Sequence, residues 1–258
     1  MPDSVFYVAT HADDALFFRG EGYFSDLHSP EVTTITIVPS AGDAGRTDGW
    51  WQAREAGGVE SIVGTLSPGD VAVDSVTVNG HEIRQYSAPG WVGYFLRLPD
   101  GNTNGAGFAS NGGRTLGKLQ AGTIATLPAV DGSTTYFGWD DFVSTVRAIV
   151  LLNKGTTAHP WINTSDPDRT LNPNDHPDHY AVATAVCTFA AGDGLNRLWW
   201  VSYDSQNRPL NLSGYALDTK YFLVRLYGWM VFDANGTPPN DQEWVWWGPR
   251  SYARTEQF

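Results

Sequence analysis

Two short clusters in this chain combine imidazole and carboxylate at spacings that metal chemistry uses. The first is Thr10-His11-Ala12-Asp13-Asp14, and the second is Asp175-His176-Pro177-Asp178-His179. Two neutral imidazoles and one carboxylate hold a divalent ion while leaving positions open for water and substrate, the arrangement of catalytic rather than structural zinc. Such an ion lowers the pKa of its water from about 15.7 to about 7, and a further carboxylate nearby can take the proton. The adjacent Asp13 and Asp14 can divide those two tasks, because neighbouring side chains at a strand end point in different directions. Spacing leaves the division open. With Asp13 as ligand, His11-x-Asp13 and a distant histidine also match the two-His, one-carboxylate triad of a non-haem iron oxygenase.

The clusters must be brought together by the elements that flank them. Ser4–Thr10 (SVFYVAT) is a short apolar, β-branched run that reads as a buried strand running into the first cluster. Pro177–Ala191 reads as an alanine-rich helix. Pro177 suits its first position, where a missing N–H costs nothing, and this puts His176 at the cap and His179 in the first turn. The positive end of the helix dipole biases both histidines toward the neutral, metal-binding form, while Asp175 and Asp178 oppose that bias.

Between these points the pattern predicts a strand at Val32–Val38 and a helix over Trp50–Val63, weakened by Gly57 and Gly58. A strand pair follows over Val71–Tyr86, turning at Asn79–Gly80, then a strand at Trp91–Leu98. Pro99–Gly122 is rich in Gly and Asn and reads as a long loop of the kind that binds or covers a site. Beyond it come a helix at Asp140–Leu152, strands at Trp161–Asn163 and Arg197–Tyr203, and a helix at Leu217–Met230. The Trp-rich Asn235–Phe258 reads as an irregular cover. Alternating strands and helices predict an α/β fold with a parallel sheet, in one domain spanning 1–258. In such sheets ligands bind in the crevice beyond the carboxyl ends of the strands, which is where the first cluster falls.

Composition narrows the function classes. The 258 residues carry a formal charge of −12 and no Lys/Arg run, so phosphate backbones and anionic membrane surfaces are poor partners. No apolar run approaches the ~20 residues that span a bilayer. The single cysteine, Cys187, excludes an intramolecular disulfide and a cysteine-built zinc site, and reads as a small buried thiol. With 11 Trp there are more indoles than a core of this size needs, so those at Trp50, Trp51, Trp91 and the C-terminus are expected around a sugar or apolar group. His28, His81 and His159 have no acidic neighbour at ligand spacing and are expected on the surface or in loops. No Gly-x-Ser-x-Gly elbow occurs, which argues against a serine hydrolase. The N-terminus shows no leader pattern, which places the chain in the cytoplasm if Met1 is native and makes it secreted if a signal peptide has been removed.

The two clusters resemble those of the PIG-L, or LmbE-like, metal-dependent de-N-acetylases. That family's first signature is Ala-His-Pro-Asp-Asp-Glu after strand one, where this chain has Thr-His-Ala-Asp-Asp-Ala. Its second, His-Pro-Asp-His opening a late helix, stands unaltered at His176–His179. Ser40–Ile62 is similar to the family's acidic-glycine turn and Arg/Glu-bearing helix, and Phe95–Asp100 and Leu217–Tyr227 to segments of its larger bacterial and fungal members.

The resemblance implies a three-layer, Rossmann-like, mostly parallel sheet with helices on both faces, here with an extra β-hairpin and long loops. It implies one Zn2+, or another divalent ion, on His11, Asp14 and His179. Asp13 is then the general base, and His176 supports the tetrahedral oxyanion or protonates the leaving amine. The implied reaction removes an N-acetyl or longer N-acyl group from an amino sugar, such as an N-acetylglucosamine moiety of a glycoconjugate, with Asp43 and Arg54 as sugar contacts.

Three departures stand out. Ala12 replaces the usual Pro, and Ala15 replaces the usual Glu that supports the ligands. The family's hydroxyl-binding Arg lies three positions before the helix Glu, which here is Gln52, whereas Arg54 adjoins Glu55. Ala15 and the aromatic excess also allow a non-catalytic sugar-binding protein on the same fold, although binding alone gives no reason for Asp13.

Overall fold

The computed structural model describes residues 3–66 and 71–258. Met1, on which the expectation about compartment rests, lies outside the described residues. In chain order the elements are β1 (Asp3–Val8), α1 (Asp14–Leu27), β2 (Val32–Ser40), α2 (Trp50–Val63), β3 (Ala72–Val78), β4 (His81–Ala88), β5 (Trp91–Leu98), α3 (Leu116–Gln120), β6 (Thr126–Pro128), β7 (Thr135–Phe137), α4 (Trp139–Asn153), β8 (Trp161–Ser165), α5 (Pro177–Phe189), β9 (Asn196–Trp200), α6 (Gly214–Asn235), α7 (Asp241–Trp247) and β10 (Ala253–Glu256).

Eight strands form one sheet in the order β10-β9-β8-β1-β2-β5-β4-β3. The five inner strands from β9 to β5 are parallel, and β10, β4 and β3 run antiparallel to their neighbours. The expected α/β class with a mostly parallel sheet and an added hairpin is therefore what the chain builds. Alternate residues of β1 divide the core between the two faces of the sheet. Phe6 and Val8 join one apolar cluster with residues of α3, α4 and α5, while Val5 and Tyr7 join another with α1, α2, α6 and α7. The chain moves from β1 to β2 and β5 on one side, then returns to β8 and β9 on the other. The switch point thus lies between β1 and β8, and the crevice beyond their carboxyl ends is where such sheets bind ligands.

Most expected elements stand where the pattern put them. The β3–β4 hairpin turns at Asn79 and Gly80, both at positive φ, the conformation a two-residue Asn-Gly turn requires. Helix α1 had no counterpart in the sequence reading. Gly20 and Gly22 break its apolar pattern, and Arg19 leaves helical geometry within it. Gly57 and Gly58, which weaken α2 on propensity, have a packing reason. A Cβ on Gly57 would lie 2.8 Å from Val231 of α6, and one on Gly58 would lie 3.0 Å from Ala12. Close approach of α2 to α6 and to the first cluster needs both.

Four expectations are corrected. Asn235–Phe258 is not irregular: it carries α7, capped by the Asn240 side chain, and β10, which pairs with β9. Cys187 is exposed, because the buried stripe of α5 runs through Ala181, Val182, Ala185, Val186 and Phe189. His81 is buried, covered by α4 and the β6–β7 hairpin region, neither of which is near it in sequence. Trp91 is also fully buried and donates to Thr36 Oγ1 at 3.0 Å, so it belongs to the core and not to a sugar site. Among the described residues, no helix is long and apolar enough to cross a membrane.

Candidate metal centre

The turn after β1 delivers His11, Asp13 and Asp14 to the switch-point crevice, and the start of α5 delivers His176 and His179 to the same place. His176 is the N-cap of α5, with Pro177 opening the helix, as the local sequence dictated. His11, Asp14 and His179 are all buried and offer ligand atoms within 4.8 Å of one another. Asp14 Oδ2 lies 3.5 Å from His11 Nδ1 and 3.2 Å from His179 Nε2.

The protonation pattern fits a divalent ion. His179 Nδ1 lies 2.7 Å from Asp175 Oδ1, so the carboxylate accepts its proton and turns Nε2 toward Asp14. That Nε2 is buried and makes no hydrogen bond, and neither does His11 Nε2. Buried polar atoms without partners are rare because each costs about 1–3 kcal/mol. Burial pushes His179 down, yet Asp14 and Asp175 outweigh it and hold the ring above its ordinary value. Burial likewise works against the Asp14 carboxylate, and His179 and His11 keep it well below its usual range. An ion displaces the protons this arrangement holds, as ligand binding to a metal ordinarily does.

A second group, His11, Asp100, His176 and Asp178, has ligand atoms equally close together, but its hydrogen bonds assign it another task. His176 Nδ1 accepts from the backbone N–H of Asp178 at 3.2 Å, so the neutral ring carries its proton on Nε2. Burial, with His11 and His179 adding to it, pushes His176 down to about 2, which keeps the ring neutral. Its Nε2–H faces Asp100 Oδ1 across 3.6 Å and lines the cleft. The ring thus presents an N–H donor to the cleft. Asp178 is pushed up to about 6 by burial and ties the loop to α5 by accepting from Gly101 N at 2.7 Å.

The remaining expected residues separate. Asp13 lines the cleft with its Oδ1 2.5 Å from Arg54 Nη2, outside both ligand groups. The His11-x-Asp13 form of the oxygenase triad is therefore not assembled, and the sheet is not a jelly roll. Arg54 lines the cleft as well. Asp43, expected at the sugar, is not on the cleft wall. It is buried, accepting from Asp100 N, Gly45 N and the Asn111 amide, and so braces two loops. The supporting carboxylate whose loss Ala15 raised is supplied elsewhere, by Asp175.

The cleft has a volume of ≈ 330 Å³. Phe17, Phe18, Tyr203 and Trp247 form an aromatic wall, with Tyr203 stacked on Trp247 at 4.8 Å and 5.3 Å from the His179 ring. Trp50, Tyr227, Asn102 and Glu243 line other sides. Asp100 had no assigned role in the sequence, although its place just past β5 marks it by the same crevice rule that marks His11. Trp247 is one of the C-terminal indoles expected at the site and Tyr227 ends the segment singled out over Leu217–Tyr227, whereas Tyr203 carries no local signal.

No protein-family model matches the chain, and no curated relative does. Among solved structures, the zinc inhibited form of teicoplanin deacetylase Orf2 matches over 89% of this chain and 84% of its own, with a TM-score of 0.51 at 12% identity. A deacetylase–teicoplanin complex matches over 87% and 86%, with a TM-score of 0.50 at 12% identity. The A40926 pseudoaglycone deacetylase Dbv21 matches over 97% and 94%, with a TM-score of 0.50 at 13% identity. Identity this low speaks to architecture only. The chain shares the fold of these deacetylases.

Proposed function

We propose that this protein is a metal-dependent amide hydrolase that removes an N-acyl group from an amino sugar carried by a larger glycoconjugate. The observation that carries this reading is the convergence of His11, Asp14 and His179, two with unpartnered Nε2 atoms, beside a cleft whose wall includes His11, Asp14, Asp13 and His176. A divalent ion on those three residues would supply Lewis-acid polarisation and an acidified water. Asp13 takes a proton from water in the cleft, and the hydroxide adds to the amide carbon. His176 donates from Nε2–H as charge develops on the carbonyl oxygen, the role for which its cap position and neutrality prepare it. The C–N bond then breaks and the amine leaves with the proton Asp13 took; the carboxylic acid formed passes its own proton to the amine, giving carboxylate and ammonium.

The substrate class is supported by the fold and by the cleft. Teicoplanin and the A40926 pseudoaglycone are named with the deacetylases that share the fold. At ≈ 330 Å³ the cleft is at the small end of the about 300–1,000 Å³ usual for ligand pockets, enough for one acylated sugar with the rest of a conjugate outside.

The test compares wild type with Asp14→Ala after identical purification, measuring metal by mass spectrometry and amine release from N-acetylglucosamine and from a glycopeptide bearing an N-acylated amino sugar. About one equivalent of metal and measurable amine release in wild type, both lost in the variant, are expected. A wild type that takes up no zinc, or an Asp14→Ala protein of full activity, would sink the reading.

A further inference from the structure

Three of the five N–H donors of Arg54 are committed within the protein. Its Nη2 donates to Asp13 Oδ1 at 2.5 Å, its Nη1 to the Gly42 carbonyl at 2.9 Å and its Nε to the Tyr227 hydroxyl at 3.0 Å. These partners come from the turn after β1, the turn after β2 and helix α6, so the guanidinium is held from three directions. The pocket for it is built. Gly42 has φ +58, and a Cβ there would sit 2.0 Å from Arg54 Nη1. Arg54 is mostly buried, at 13% side-chain exposure, and Asp13 is similar at 16%. Burial works against the Arg54 charge, and Asp13, Tyr227 and Asp100 together more than offset it.

The bond is one-sided on the carboxylate. Asp13 Oδ1 is taken, while Oδ2 has no hydrogen-bond partner among the described residues, and the side chain lines the cleft. An aspartate in a turn otherwise has rotamer freedom and two equivalent oxygens. A charge-assisted bond from a fixed guanidinium removes both ambiguities. We propose that Arg54, braced by Tyr227 and Gly42, is a positioning residue that holds Asp13 in a single rotamer with Oδ2 left to act on water, in place of the sugar contact that the motif implied. This rests on the amide-hydrolase reading above and adds to it the device that aims the base. Tyr227 has a second consequence: its oxygen accepts from Arg54, so its own O–H proton is free to donate into the cleft it lines.

The experiment is steady-state kinetics on the metal-loaded protein with Arg54→Met, Arg54→Lys, Tyr227→Phe and the pair Asp13→Asn with Asp13→Asn/Arg54→Met, alongside metal content and the crystal structure of Arg54→Met. Misplacing a catalytic group by about 1 Å costs on the order of 10²-fold, so Arg54→Met should lower kcat by about that factor with KM and metal content nearly unchanged. Arg54→Lys, which keeps one bond to Asp13, should recover part of the loss. Tyr227→Phe, which leaves Asp13 its bond but loosens the guanidinium, should lower kcat by a smaller factor. In the Asp13→Asn background, removing Arg54 should change kcat by less than about two-fold, because Arg54 acts only through Asp13. The crystal structure should show Asp13 in more than one rotamer.

A rise in KM at intact kcat, or full multiplicative losses in the double variant, would overturn the positioning role and restore Arg54 as a sugar contact. A wild type that binds metal yet releases no amine overturns instead the amide-hydrolase reading, and with it the base that Arg54 would aim.

Discussion

His81 and His179 are both buried, both beside a carboxylate, and both packed against a tyrosine ring, yet one is finished and the other is not. At His81, Nδ1 is 2.8 Å from Thr134 Oγ1, Nε2 is 3.0 Å from Asp141 Oδ1, and the ring stacks on Tyr136 at 4.2 Å. At His179, Asp175 takes Nδ1 at 2.7 Å, and Nε2 is left without a hydrogen bond 3.2 Å from Asp14. A histidine with both nitrogens satisfied has completed its chemistry in folding. One with a single nitrogen oriented and the other idle in a dry cluster carries a cost that only a further ligand offsets. The difference separates a histidine satisfied in folding from one still open to a ligand, without reference to either sequence neighbourhood.

The largest expected effect that separates the two sites is on the structural side. His81→Ala removes a stacked, doubly bonded ring and should destabilise the fold by about 3 kcal/mol in a denaturant titration, while metal content and turnover per folded molecule stay at wild-type values. Loss of metal in that variant would erase the distinction drawn here. On the other side, Asp175→Asn keeps a side chain beside His179 but weakens its grip on Nδ1. Outer-shell substitutions of this kind cost about 10–100-fold in metal affinity, so a competition titration with a chelator should show that loss with only a small change in stability. An unchanged affinity would mean that Asp175 does not orient the ligand.

A buried cation provides the smallest effect and a contrast in kind. Lys220 on α6 is fully buried, and its Nζ donates to the carbonyls of Trp247 at 3.2 Å and Arg250 at 2.5 Å. Unlike His81 it is only partly satisfied, two acceptors meeting three N–H donors, and burial pushes its pKa down to about 7. The unfolded chain therefore binds the extra proton between pH 7 and the ordinary lysine value. Stability contributed at this position rises with pH through that window and falls again as pH drops toward 7. The stability of wild type relative to Lys220→Met should climb by about 1 kcal/mol per unit between pH 7 and 9. A flat difference would show that the two carbonyls hold the ammonium charged.

Legibility from sequence followed the range of the interactions. The cap at His176, the Asn79–Gly80 turn and the bounds of α2 and β5 are set within a few residues, and they stand where the pattern put them. Helix α1 escaped because Gly20 and Gly22 interrupt its periodicity, and one of them is there for a neighbour: a Cβ on Gly20 would lie 2.8 Å from Lys220. Cys187 was misplaced because an alanine-rich helix shows its buried stripe only weakly. Asp43 was placed at the sugar by analogy, whereas its oxygens are spent on backbone N–H groups of two loops.

Residue type and local spacing therefore determined what chemistry this chain can attempt: two imidazoles and a carboxylate at element ends, with a second carboxylate beside them. That much is local, because strand ends, helix caps and turns are governed by residues next to one another. Which oxygen of Asp13 is free, that Arg54 grips Asp13, and that Asp175 and Asp100 attend His179 and His176 were decided by packing. Those partners come from separate turns and helices, and sequence spacing carries no record of which side chains the sheet and α6 bring within a hydrogen bond of each other.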